Sequence, residues 1–382
     1  MTPPGSIVIT GESIAGITAA RELRELGHAG PITLIGAEEH GAYARPPLSK
    51  AVLKDDRADS TLGYRLDGLD VDVVRSPAVA ADVGRRVVAT ADGREIGYAA
   101  LVVATGARAR RIAAPGQRGE TVLRTLDDAR RLRTRLDAAR SALVVGAGFL
   151  GLEVVSACVA RGIPVTVVDV DPPLRRILGP FVSEAITARA GDHGVRVVVT
   201  PAPATLTGDP VGGVRLADGT VLTADVVVTC CGEVPNTDWL AGTGLAGPRG
   251  VTIDQACATA VPGVFAAGDV TCLHTGTRTP FWSTAVAQGK AAAASALDLA
   301  PAGPPRDDYF WTEILGLSLK VAGPLPPRGE PDLAEGSVPG GSALLTWLGG
   351  NGQRTVVAYG KRMPVPKLRA LAGQAYARLR PT

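Results

Sequence analysis

Two stretches of this chain share one order of events. Residues 7–39, IVITGESIAGITAARELRELGHAGPITLIGAEE, and residues 142–171, ALVVGAGFLGLEVVSACVARGIPVTVVDVD, each run from an apolar segment through a glycine turn into a helical pattern. Each then enters a second apolar segment that closes on acidic residues. Thirty-odd residues is the length of a strand-helix-strand unit. Apolar runs without polar alternation mark strands covered on both faces, as in parallel sheets. The duplication therefore predicts an α/β chain with two parallel, doubly wound sheets.

The turns say what these units are for. A dinucleotide's pyrophosphate can sit on a helix N-terminus only if the strand-to-helix turn is tight and free of side chains, which is the physical content of G-x-G-x-x-G. Gly146, Gly148 and Gly151 meet the pattern in full. The first loop reads Gly11-Glu12-Ser13-Ile14-Ala15-Gly16, with serine at the second position and a carboxylate beside it. An acid closing the next strand accepts hydrogen bonds from the adenosine ribose, and Glu38 and Asp169 stand there. One such loop could be a packing device alone. Two in the same context point to two dinucleotides, one bound flavin and one exchanging nicotinamide. Asp169 is followed by Val170 rather than arginine, which favours NADH over NADPH, although Arg175 and Arg176 follow shortly.

Composition removes other classes. At 382 residues the chain is long enough for two to three domains at about 150 residues each. Forty basic and 37 acidic residues nearly balance, so no nucleic acid is expected as partner. Residues 1–10 lack a signal-peptide pattern, which predicts a cytoplasmic protein. Residues 142–160 have the length of a membrane span, but Glu153 and the glycine spacing favour strand, turn and helix, so no membrane association is expected. The five cysteines, 158, 230, 231, 257 and 272, form no C-x-x-C pair, and the four histidines are scattered, so no metal site is predicted. Cys230 and Cys231 read as small buried hydrophobes.

Two further apolar segments end in short turns, Leu101 to Gly106 with Ala104-Thr105-Gly106, and Val264 to Val270 with Gly268-Asp269. With these in place, the chain resembles the two-dinucleotide flavoprotein reductases, and within them the NADH-dependent ferredoxin reductases of the putidaredoxin reductase type, which serve cytochrome P450 and Rieske oxygenases. The resemblance covers nearly the whole chain. It rests on the loops and turns above, on Glu153, on Val234-Pro235-Asn236, and on the segment Tyr43-Ala44-Arg45-Pro46-Pro47-Leu48-Ser49-Lys50. Related disulfide reductases carry a redox cysteine pair in that last region, whereas residues 40–60 here contain none.

The resemblance implies FAD on Gly11, Ser13, Ala15, Gly16, Glu38, Arg45, Lys50, Ala104, Thr105, Gly106, Gly268, Asp269, Phe281, Trp282 and Trp311. It implies NAD(H) on Gly146, Gly148, Phe149, Leu150, Gly151, Asp169 and Gly232. Lys50, paired with Glu153, is implied beside the flavin N5 edge, where an ammonium stabilises the reduced anion. Phe281 stands where the family has an acid and Ile314 where it has glutamine. The expected fold is glutathione-reductase-like: a discontinuous FAD domain, 1–107 and 233–300, an NAD(H) domain, 108–232, and a small α+β domain, 301–382. The expected partner is a [2Fe-2S] or similar ferredoxin, with the reductase a monomer or weak homodimer. Arginines of the helical stripe that follows Thr125 are expected on a solvated face, with Arg278, Arg306, Arg328 and Arg354 as other candidates for a docking patch. Two alternatives remain at this stage: a reductase of the same fold acting on oxygen, a quinone or a biosynthetic small molecule, and a nucleotide-bound redox sensor or scaffold.

Overall fold

Strands apolar along their whole length bury both faces, and both halves of the duplication do so in the computed structural model, which describes residues 5–61, 63–349 and 352–373. The first half builds a five-stranded, fully parallel sheet in the order Val264–Ala266, Ala100–Val103, Ile7–Thr10, Ile32–Gly36, Asp72–Arg75. The second builds another in the order Arg196–Val199, Val165–Asp169, Ala142–Val145, Val226–Thr229, Thr121–Val122. In each, the strand before the glycine turn is central. Chain order reverses on either side of it, which makes a crevice at its carboxyl end. Each half also carries a three-stranded antiparallel meander, Ala78–Asp82 to Glu95–Gly97 in the first and Thr205–Thr207 to Val221–Thr223 in the second. The doubly wound prediction is borne out.

The third element is a five-stranded antiparallel sheet in the order Phe310–Ile314, Leu317–Ala322, Arg354–Tyr359, Ser342–Leu348, Leu333–Ser337, with the helix Val365–Leu371 on its core. This sheet and helix fall within residues 301–382, where a small α+β domain was expected; residues 374–382 lie outside the described residues.

Contacts divide the chain into two compact units. One holds Met1–Arg45, Ser60–Arg108 and Val234–Asp308, the other Pro46–Asp59, Ala109–Glu233 and Tyr309–Thr382. Residues 46–59, expected with the first nucleotide sheet, thus pack in the unit of the second, and the helix Leu126–Asp137 accounts for it. A reciprocal capping box starts this helix: Asp128 N–H donates to Thr125 Oγ1 at 3.1 Å, and Thr125 N–H to Asp128 Oδ2 at 3.0 Å. Leu126, Ala129, Leu132 and Leu136 are buried. On the flank, Arg133 donates to the Val52 carbonyl at 2.8 Å and to Asp59 at 3.2 Å, Arg130 to Asp59 at 2.8 Å, and Arg161 to the Leu53 carbonyl. Burial pushes the Asp59 carboxyl up, and the two arginines more than reverse it, leaving it below its ordinary value. The solvated-face expectation therefore holds for Arg131, 67% exposed, and fails for Arg133, 16% exposed. The periodicity of one helix could not show that a distant acid, Asp59, would gather its arginines.

Among the described residues no helix is long and apolar enough to cross a membrane. The span-like stretch resolves into the strand Ala142–Val145, the turn and the twelve-residue helix Phe149–Ala160. That helix is apolar on nearly every side because its own sheet covers one flank and the strand Phe310–Ile314 another.

Candidate functional site

The two glycine turns are built alike, bond for bond. Gly11 N–H donates to the Ile35 carbonyl at 2.7 Å and Gly146 N–H to the Val168 carbonyl at 2.8 Å; Ala104 N–H reaches Thr10 and Cys230 N–H reaches Val145, each at 2.7 Å. A Cβ at Gly11 would stand 2.1 Å from the Ala104 carbonyl oxygen, and one at Gly146 would stand 2.3 Å from that of Cys230. At Gly16 and Gly151 it would meet the first glycine's own carbonyl oxygen at 1.9 Å. These four glycines answer to the chain's own close approach. Gly148 does not. Its φ of −77° suits any residue, and a Cβ there would have nothing within 4 Å. The same holds for space at Gly232, where φ is +90°. Open room at a helix start with no side-chain cap leaves the N–H groups of the first turn, from Phe149 and Leu150 onward, facing outward. The cradle suits the pyrophosphate of a dinucleotide.

Ser13 takes the place of Gly148 in the first loop with nearly the same backbone, φ −97° and ψ −168°, so serine costs no strain. Its hydroxyl makes no capping bond to its own helix. Neighbouring Glu12 is turned aside: its buried carboxylate packs on Gly36 and receives the Arg75 guanidinium at 3.1 and 3.0 Å. Burial raises the Glu12 carboxyl above its ordinary value, and Arg75 offsets this in part. Arg75 ends the last strand of the sheet, and no local sequence signal ties it to Glu12.

The acids differ in their surroundings. Glu38 receives the Tyr43 hydroxyl and the Arg45 guanidinium, and that guanidinium lies 5.2 Å over the Tyr43 ring. Asp169 Oδ2 accepts from Ala147 N–H of the glycine turn at 2.7 Å, and Oδ1 from Val170 N–H at 2.6 Å. Arg176, exposed to solvent, bridges Asp169 at 3.0 Å and Asp171 at 3.1 Å.

Two further turns join the first loop. Asn236 straps the Ala104-Thr105-Gly106 turn: its amide donates to the Thr105 carbonyl at 2.9 Å, its carbonyl accepts from Thr105 Oγ1 at 2.8 Å, and its N–H reaches Gly106 at 2.9 Å. Gly268, at φ +81°, lies so close to Ala15 that a Cβ would come within 3.0 Å of that side chain, which brings the Gly268-Asp269 turn onto the loop. Gln288 anchors it by accepting from Gly268 N–H at 2.7 Å. Phe281 precedes the helix Trp282–Ala296, and Trp282, 39% exposed, sets its indole N–H 3.4 Å from the Tyr64 hydroxyl.

In the other unit, Lys50 Nζ lies 2.9 Å from Glu153 Oε1, as the resemblance implied. The carboxylate is buried, and two partners that sequence reasoning missed complete it: Ser49 Oγ donates to Oε2, and Thr312 Oγ1 donates to Oε1 at 2.5 Å. Next along the strand, Trp311 stacks on Tyr309 with ring centroids 6.1 Å apart, while Phe310 faces inward against Phe149 at 4.6 Å. Burial pushes the Cys158 and Cys257 thiols up to about 12, Cys231 up to about 11, and Cys230 higher still, so these four are protonated thiols rather than thiolates at neutral pH.

Residues 5–289 match the family model of the pyridine nucleotide-disulphide oxidoreductases. The chain belongs to that family. Within it, the rubredoxin-NAD(+) reductase of Ectopseudomonas oleovorans is 32% identical over 341 residues, 84% of this chain and 87% of that protein. The ferredoxin reductase component of chlorobenzene dioxygenase from Cupriavidus sp. is 34% identical over 363 residues, 92% of this chain and 88% of that one. Among solved structures, the ferredoxin reductase for the CYP199A2 system from Rhodopseudomonas palustris superposes with a TM-score of 0.84 at 31% identity, covering 92% of this chain and 91% of that one. This oxidoreductase therefore carries the fold that its duplicated sequence predicted.

Proposed function

We propose that this oxidoreductase is an NADH-dependent, FAD-containing reductase that supplies electrons to a ferredoxin of a cytochrome P450 or Rieske oxygenase system. The Lys50–Glu153 pair, its carboxylate buried and its lysine partly so, carries the reading: a fixed ammonium on a segment without cysteine equips the chain to steady charge on a flavin while offering no thiol to relay it. The names of the relatives support the same reading, since both curated proteins described above are reductases of small iron proteins. FAD, held by this chain, would supply the chemistry of accepting a hydride from NADH and passing electrons on one at a time.

The chain's own residues bind and orient. Gly148 and Gly232 keep room for the nicotinamide dinucleotide, and the first-turn N–H groups receive its pyrophosphate. Asp169, held by Ala147 N–H, accepts from the ribose hydroxyls and repels a 2′-phosphate, which selects NADH. Arg176, already committed to Asp169 and Asp171, does not reverse that preference. In the other unit Gly11, Ser13, Ala15 and Gly16 with the Thr105-Gly106 and Gly268-Asp269 turns hold FAD. Glu38, braced by Arg45 and Tyr43, takes its ribose. Lys50 supplies positive charge at the reacting edge, and Glu153 fixes where that charge stands.

Anaerobic stopped-flow tests the proposal. NADH is expected to bleach the flavin absorbance quickly, NADPH slowly, and an added [2Fe-2S] ferredoxin should restore it much faster than oxygen does. Fast reduction followed by reoxidation no quicker than by oxygen alone would sink the ferredoxin reading. Reoxidation by a rubredoxin but not by a ferredoxin would move the partner to the single-iron class.

A further inference from the structure

The helix Phe149–Ala160 meets the strand Phe310–Ile314 along three rungs. Phe149 packs on Phe310, Glu153 bonds Thr312, and Ser156 Oγ accepts from Leu315 N–H at 2.8 Å just beyond the strand. Positions 149, 153 and 156 fall on one face of a helix, and 310 and 312 on one face of a strand. Phe310, Thr312 and Ile314 are buried on that face, whereas Trp311 is half-buried and Glu313 exposed on the other. Between two apolar neighbours, the hydroxyl of Thr312 is aimed at a carboxylate already bonded to Lys50 and Ser49. A buried carboxylate needs several donors, and each one restricts the orientation it can take. Lys50 has its own second anchor, donating to the Pro46 carbonyl at 3.2 Å, so the ammonium's place follows from the two acceptors together.

We propose that Thr312 is a positioning residue for the reductive step: its hydroxyl holds the Glu153 carboxylate in the orientation that receives Lys50, and so ties the ammonium's place to the C-terminal sheet. The proposal rests on the reading of Lys50 as the cation at the reacting edge. Glu153 is the contact residue of the pair, and Thr312 acts only through it. Trp311 and Thr312 are successive residues of one strand, so the element that presents the tryptophan on one side sets the lysine on the other.

The test uses the full chain loaded with FAD, with Thr312→Val, which keeps the shape and drops the hydroxyl, and Thr312→Ser, which keeps the hydroxyl. Lys50→Met is measured beside them. Flavin content and melting temperature verify that each variant folds. In anaerobic single turnovers, Thr312→Val should lower the limiting rate of flavin reduction about tenfold, the scale of a misplacement below 1 Å. The NADH concentration at half-saturation should stay within about twofold of the parent, because the nucleotide cradle is untouched. Thr312→Ser should restore the rate. Independently of turnover, acylation of Lys50 by an amine-directed reagent, followed by peptide mass spectrometry, should run severalfold faster in Thr312→Val than in the parent or Thr312→Ser. A Thr312→Val protein with parental rate and labelling, beside a slow Lys50→Met protein, overturns the role of Thr312 and leaves the reductase reading standing. Equal impairment in Thr312→Ser and Thr312→Val assigns the effect to packing and overturns the proposal. Parental rates in both Lys50→Met and Thr312→Val remove the role of Lys50 and the inference with it.

Discussion

Replacing Arg75 by methionine isolates the cost of the carboxylate that the first dinucleotide loop carries. Glu12 is 7% exposed, and the Arg75 side chain, 47% exposed, donates to both of its oxygens. Removing one member of a fully buried ion pair costs about 3–5 kcal/mol, and an exposed pair is worth roughly 0–1 kcal/mol. With one partner buried and the other half in water, the loss should be about 2 kcal/mol, or about 4–8 °C in melting temperature for a unit of this size. The pH dependence follows from the carboxyl's position above its ordinary value, where burial outweighs the arginine. A carboxylate whose folded pKa is raised destabilises the fold in its charged form. That penalty is complete above the folded value and fades as pH falls through it toward the ordinary 4.5. Without Arg75 the folded value climbs further, so the deficit of Arg75→Met should be larger at pH 8 than at pH 5. Glu12→Gln combined with Arg75→Met should recover most of it. Melting curves at the two pH values, read by flavin fluorescence on release, provide the measurement. An equal deficit at both, or no recovery in the double variant, would refute the view that Arg75 is there to neutralise Glu12.

Other expectations concern the second unit. A Cβ at Gly148 would meet no protein atom within 4 Å, so Gly148→Trp should fold, keep its yellow flavin and lose reduction by NADH; a colourless protein would show the two loops to be assigned in reverse. Asp169→Ala should raise the NADH concentration required for half-maximal reduction several-fold, and steady-state titration showing no change would count against its ribose role. Asp59→Asn weakens the bonds from Arg130 and Arg133, and should cost about 1–2 kcal/mol at neutral pH. Because the Asp59 pKa is depressed, that contribution is present above the ordinary 3.8 and lost as pH falls through the folded value, so parent and variant should converge in acid urea melts.

The Lys50–Glu153 pair, far apart in sequence, came from the family resemblance alone, whereas the parallel sheets and the two glycine turns were legible because local signals encode them: runs of apolar residues and glycines at fixed spacing. Arg75, Asp59 and Thr312 were not. Arg75 lies 63 residues from Glu12, and Thr312 lies 159 from Glu153. Such pairs are made by the topology that brings strand ends and helix flanks together, and no periodicity in one segment carries that information. Ser49, next to Lys50, was within reach of sequence reasoning, since a hydroxyl beside a lysine aimed at a buried acid is a natural second donor. The arginines after Thr125 show the opposite error: an amphipathic helix predicts which residues face outward, but not that a neighbouring acid waits there.

Each of the two compact units is assembled from three separated stretches of chain, threaded alternately. On the ribosome this sets an order of completion. The second nucleotide sheet can pair its strands once Thr229 has emerged, yet Glu153 stays without its threonine until residue 312 is made. Contacts of such long sequence separation are slow to form and leave apolar surface waiting, here the flank of the helix Phe149–Ala160 that the last sheet covers. Neither unit can be excised as one contiguous fragment, and truncation before Phe310 should yield a chain that aggregates rather than a smaller working reductase.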